Sequence, residues 1–221
     1  MDFIFMLTEH DQTVPNCLEV MENIAGTGLS HIGCKEVGIE REALGKLVKS
    51  IKGAGAISYL ELVSTNFESC TDAVEMAVDV GIDRLLGGLR PVELQEICRG
   101  RISYYPFPGI PEGHPTKLRG TPEQVSEHCR QFTALGYPGV DLLAYRAVDA
   151  DPLDLVRAAR SAMDGYVICA GSVDSPERIR ALADAGANAF TIGSAVFDGS
   201  FSPGVSSIED RVKCVLDATP E

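Results

Sequence analysis

Eight short apolar runs punctuate the chain at nearly regular spacing. They are FIFMLT (3–8), HIGCKEV (31–37), ISYLELV (57–63), DRLLGG (83–88), ISYYPF (102–107), VDLLAYR (140–146), YVICAG (166–171) and AFTIGS (189–194). Between them lie segments such as EREALGKLVKSIKG and SCTDAVEMAVDVG, whose apolar residues recur at helical spacing. TPEQ (121–124), DPLD (151–154) and SPER (175–178) each put a capping residue before a proline, a helix-start signal. Glycine recurs just before the next apolar run, as in GAGAISYL, DVGIDRLL and DAGANAFT, where a left-handed helix end favours it. The outcome is a weak repeat of about 28 residues, one β–α unit each. Strands alternating with helices pair in parallel, and eight units match a (β/α)8 barrel. The competing closure, a doubly wound open sheet, needs a glycine-rich first turn. Here that turn reads TEHDQTVPN. The expected fold is therefore α/β, a single (β/α)8 TIM barrel domain spanning residues 1–221.

Composition narrows the class of protein. The 221 residues are 45% hydrophobic and 23% charged, as in a globular chain. A net charge of −13 repels phosphodiester backbones, so nucleic acid is not an expected partner. A small anion is not excluded, because local backbone N–H groups can hold one. No apolar segment reaches membrane-spanning length. The opening MDFIFMLTEHD has no basic n-region and reads as a first strand rather than a signal peptide. Seven cysteines, none in a CxxC pair, read as free thiols of a cytoplasmic protein. A homo-oligomer is left open.

In a (β/α)8 barrel the chemistry sits at the C-terminal ends of the strands. Glu61 lies between Leu60 and Leu62, an apolar setting in which a carboxylate is rare unless paired or functional. Lys35 ends the run HIGCK on the neighbouring strand, so the two could form an acid–base pair; the plainer alternative pairs Lys35 with Glu36. Arg146 ends DLLAYR and could clamp an anionic group bidentately, or instead bridge to Asp149 or Asp151. Asp141 sits near the start of its run and is assigned to the opposite, stability end of the barrel. Further candidate substrate contacts are His10, Arg90, Tyr105, His114 and Tyr145. The longest irregular stretch, PFPGIPEGHPTKLRG (106–120), reads as a functional lid. No spacing of His, Asp, Glu and Cys reads as a dedicated metal site, although His10 with Asp11, or Glu61 with a nearby histidine, could still assemble one in space; no cofactor is implied.

The last two strands each end in a small-residue turn: Gly171 and Ser172 after the seventh, and Gly193, Ser194 and Ala195 after the eighth, where SAVF can form a one-turn helix. Loops at these two positions commonly bind phosphate in this fold. Glycine permits close backbone approach, and N–H groups at a helix start point at the anion. Ordinary tight corners are the alternative. The stretch VICAGSVDSPERIRALADAGANAFTIGSAVF resembles the C-terminal quarter of the phosphate-binding TIM barrels. These include the histidine- and tryptophan-biosynthesis barrels, the pentulose-phosphate epimerases and the keto-deoxy-phosphogluconate aldolases. The resemblance implies a phosphate held by these two turns. Subgroup motifs are missing: YLELVST lacks the decarboxylase Asp-x-Lys-x-x-Asp, DLLAYRA lacks the aldolase lysine, His31-Ile32-Gly33 replaces the epimerase His-x-Asp, and Asp11 only loosely matches the isomerase aspartate after strand one. The chain resembles the superfamily outside those subgroups. The function expected is that of a carbohydrate enzyme acting on a small phosphorylated sugar or sugar acid. It would abstract a proton next to a carbonyl, as an isomerase, epimerase or aldolase-type lyase. A non-catalytic sugar-phosphate binder, or a barrel acting on an unphosphorylated substrate, stays open beside it.

Overall fold

The computed structural model describes residues 1–98 and 100–220. Eight parallel strands form the sheet: β1 (Asp2–Met6), β2 (His31–Lys35), β3 (Ile57–Leu62), β4 (Arg84–Gly87), β5 (Ser103–Tyr105), β6 (Gly139–Leu142), β7 (Tyr166–Cys169) and β8 (Ala189–Ile192). They run in the order β6-β7-β8-β1-β2-β3-β4-β5, so the eighth strand pairs with the first and the sheet rolls into a TIM barrel. The seam lies between β5 and β6, where the Asp141 N–H donates to the Pro106 carbonyl at 3.0 Å. All eight apolar runs form strands of this barrel. Around it lie α1 (Cys17–Ile24), α2 (Arg41–Gly53), α3 (Phe67–Val80), α4 (Pro91–Cys98), α5 (Pro122–Ala134), α6 (Pro152–Ala162), α7 (Pro176–Ala185), α8 (Ser194–Phe197) and α9 (Ile208–Ala218). Among the described residues, no helix is long and apolar enough to cross a membrane.

Alternation along each strand divides the core in two. Phe3 and Phe5, Leu60 and Leu62, Val140 and Leu142, and Phe190 and Ile192 face outward and pack with the helices. Ile4, Met6, Tyr59, Leu86, Tyr105, Ile168 and Ala189 fill the barrel interior. Arg84 closes the N-terminal end, its guanidinium 5.4 Å from the ring centre of Tyr59, 5.7 Å from Tyr105 and 5.3 Å from Tyr166. Following the same alternation upward, Lys35, Glu61, Asp141 and Thr191 take the inward positions at the C-terminal end. The interior therefore turns from apolar to ionic at the mouth.

Three boundaries differ from the sequence reading. The sixth run stops at Leu142, because Leu143 leaves the extended region (φ −78°, ψ 55°) and Ala144–Arg146 forms a 3-10 turn. Asp141 is thus the third residue of a four-residue strand, next to its C-terminal end, which corrects its assignment to the stability end. The first run ends at Met6, and the chain then forms a tight hairpin, Thr8–Glu9 against Gln12–Thr13. The supposedly irregular 106–120 segment contains a second hairpin, Ile110–Glu112 against Lys117–Arg119. Leu118 is buried there and bridges to Ala147.

Candidate active site

The first hairpin builds the site's centre. Its two-residue turn, His10 and Asp11, has φ of 49° and 61°. Such a turn usually takes Asn-Gly, because both residues are left-handed. With neither a glycine, the backbone here is locally unfavourable. Thr13 secures the hairpin to the end of β2, its hydroxyl donating to the Lys35 carbonyl at 2.6 Å and accepting from the Lys35 N–H at 2.9 Å. Asp11 is thereby aimed into the mouth of the barrel.

The Asp11 carboxylate accepts from Lys35 Nζ at 2.5 Å and from both terminal nitrogens of Arg146 at 2.8 Å each. Lys35 Nζ also lies 3.4 Å from Glu61 Oε2. Arg146 donates in addition to the Thr116 carbonyl at 3.3 Å, which ties it to the second hairpin. Asp11, Lys35 and Glu61 are all buried. Burial alone would raise the Asp11 carboxyl, but its bonds to Arg146 and Lys35 outweigh that and hold it well below the usual carboxylate range. Glu36 does not partner Lys35. Its carboxylate accepts from the Val63 and Ser64 amides at 3.0 and 2.7 Å and shapes the turn after β3. Arg146 leaves Asp149 to Arg119, which binds it at 3.1 Å.

Opposite this cluster stand the two small-residue turns. Gly171 and Ser172 are left-handed, with φ of 80° and 57°. A Cβ on Gly171 would collide with the Arg146 side chain, so the glycine lets Arg146 lie across this loop. A Cβ on Gly193 would meet Thr8 Oγ1 at 2.5 Å and the Thr8 carbonyl at 2.7 Å. The first hydrogen bond of α8 runs from the Val196 N–H to the Gly193 carbonyl, so the Ser194 and Ala195 amides precede it, as helix-start donors do. Arg178 supports the β7 loop from behind. It donates to the Ser172 carbonyl at 2.5 Å and to Asp174 at 2.9 Å, with its guanidinium 4.7 Å from the Tyr145 ring centre.

Lys35, Glu61, Arg146, Gly171, Ser172, Gly193, Ser194 and Ala195 all line one cavity of 290 Å³. That size is near the lower end for small-molecule sites. Asp11, Thr8, Thr191, Asp174 and Asp198 join the lining. The other five sequence candidates lie outside it. His10 and His114 are exposed at the tips of the two hairpins. Arg90 is exposed, paired with Glu93 at 2.6 Å and 4.3 Å from the Phe67 ring centre. Tyr105 is buried in the barrel interior, and Tyr145 stands behind the β7 loop against Arg178. Asp11 was legible as a strand-one end residue, but its aim depends on the tight turn. The signal for that turn is two residues between the alternating pairs Thr8-Glu9 and Gln12-Thr13. Among the described residues no group of three or more His, Cys, Asp and Glu side chains is arranged to hold a metal ion.

No family model matches the chain, and no curated protein matches it. Solved structures do, along nearly the whole length and at low identity. A mutant tryptophan synthase α-subunit from Pyrococcus furiosus is 16% identical with a TM-score of 0.70, covering 98% of each chain. The native KDPGal structure, an aldolase, is 14% identical with a TM-score of 0.70, covering 99% of this chain and 94% of that one. Orotidine 5′-phosphate decarboxylase from Pyrococcus horikoshii OT3 is 11% identical with a TM-score of 0.65, covering 98% of each. The likeness is one of fold.

Proposed function

We propose that this chain is an enzyme acting on a small phosphorylated sugar or sugar acid by abstracting a proton next to a carbonyl. One observation carries the reading: a lysine, a glutamate and an arginine at strand ends share a single 290 Å³ cavity with the two small-residue turns after β7 and β8. The neighbouring folds belong to an aldolase, a decarboxylase and a tryptophan synthase subunit, which favours catalysis over simple binding.

The roles follow from position. The turns, with the Ser194 and Ala195 amides, hold the phosphate and supply binding energy remote from the reacting atoms. Glu61, buried and within reach of Lys35, is the base. Lys35 sits between two carboxylates, so its role is that of a cationic donor to the developing oxyanion rather than a free amine nucleophile. Arg146 spans the acid cluster and the β7 loop and can hold a substrate carboxylate or enediolate. Asp198 at the rim suits the hydroxyl donors of a sugar. Isomerisation, epimerisation and aldol cleavage all share this proton step.

The test is a thermal-shift comparison of phosphorylated sugars and sugar acids with their unphosphorylated counterparts. Ligand at about 100 times Kd stabilises by about 2.7 kcal/mol. The expected outcome is stabilisation by phosphorylated compounds only, followed by turnover of the best ligand that Glu61→Gln lowers by about 10²–10⁴-fold. Equal shifts from both sets would end the phosphate assignment. Unchanged turnover in Glu61→Gln would end the assignment of the base.

A further inference from the structure

Under the cavity lies a carboxyl group to which the roles above give no work. Asp141 is completely buried, and neither of its carboxylate oxygens has a hydrogen-bond partner. An ionised carboxylate in such a place is very costly unless paired. The cations it would need are engaged. Lys35 binds Asp11 and faces Glu61, and Arg146 gives both terminal nitrogens to Asp11. The other titratable groups set against Asp141 bring no positive charge. Glu61 from β3 adds a negative one, the Tyr104 hydroxyl of β5 donates to the Gly87 carbonyl, and the buried Cys169 thiol of β7 is pushed up by desolvation.

Counting charges singles out one group. Asp11, Glu61 and Asp141 are three carboxyls against two cations. Asp11 takes three charge-assisted bonds, and Glu61 keeps a lysine within 3.4 Å. If Asp141 carries a proton, the cluster of Asp11, Glu61, Lys35 and Arg146 is neutral and itself sets no net charge against an incoming anion. If Asp141 is ionised, an uncompensated charge sits in the barrel interior.

We propose that Asp141 is a carboxylic acid at neutral pH, a positioning residue whose retained proton leaves Glu61 as the ionised carboxylate at the base of the cavity. The consequence for Glu61 rests on the proposed function; the location of the proton does not. Desolvation, reinforced by the negative charge of Glu61, raises the Asp141 carboxyl well above its ordinary range, in agreement with the geometry.

The experiment is isotope-edited infrared spectroscopy of the ligand-free protein at neutral pH. Aspartate or glutamate is labelled with 13C at the side-chain carboxyl. The expected result is a protonated-carboxyl C=O band that moves with the aspartate label, stays put with the glutamate label and vanishes in Asp141→Asn. Asparagine is a neutral isostere of the protonated acid, and the two labelled wild-type samples still distinguish aspartate from glutamate if that variant folds poorly. A band that follows the glutamate label, or no protonated-carboxyl band at all, overturns the proposal. Failure of every sugar phosphate to bind would sink the proposed substrate class and leave this result standing.

Discussion

The Asp11 carboxylate joins Lys35 and Arg146 through three hydrogen bonds. Removing one partner of a buried charge network leaves the others uncompensated, so Asp11→Asn should cost about 3–5 kcal/mol in urea unfolding at pH 7. The pH dependence has a definite sign. The folded-state carboxyl is held below its ordinary range, so its contribution is fully present above the unfolded value near about 3.9 and fades as pH falls below it. The gap between wild type and Asp11→Asn should stay flat from pH 7 to about 5 and narrow below about 4. A gap that widened in acid would contradict the network. Sequence reasoning placed Lys35 and Glu61 on adjacent strands, because strand order in a barrel follows chain order. It could not aim Asp11, whose direction comes from a left-handed turn without glycine. It also misplaced Asp141, because an apolar run does not show where the strand stops and the 3-10 turn begins.

At the scale of elements, the 110–119 hairpin is the part that reaches back to the chemistry. Leu118 is buried under it and its carbonyl accepts from the Val148 N–H at 3.1 Å. The hairpin also presents the Thr116 carbonyl to Arg146. Leu118→Ala should destabilise the protein by about 2–5 kcal/mol and loosen Arg146 at the same time. Thermal unfolding reads the first effect. A smaller thermal shift from the best sugar phosphate, measured below the new Tm, reads the second. An unchanged ligand shift would separate the hairpin from the site. Prolines and glycines in this segment hid the hairpin from a pattern search. The helices around it were easier to read: the Thr121–Gln124 capping box of α5 and the Asp151 and Ser175 caps of α6 and α7 all form.

For the whole molecule, the eightfold rhythm was the most legible property, since each β–α unit repeats the same apolar spacing and the same glycine stop. Closure was less so. β5 is only three residues long and runs into Pro106 and Pro108, which have no N–H to give a neighbouring strand. The junction with β6 therefore depends on acceptance alone, as in the bond from the Asp141 amide to Pro106. Amides of β5 and β6 should exchange with deuterium faster than those of β1–β3, and uniform protection around the ring would refute this. The mouth leads to the 290 Å³ cavity between the ionic cluster and the two small-residue turns. The seam lies beside Asp141, so the same exchange experiment that reads the β5–β6 junction also reads how tightly the wall next to the hidden acid is shut.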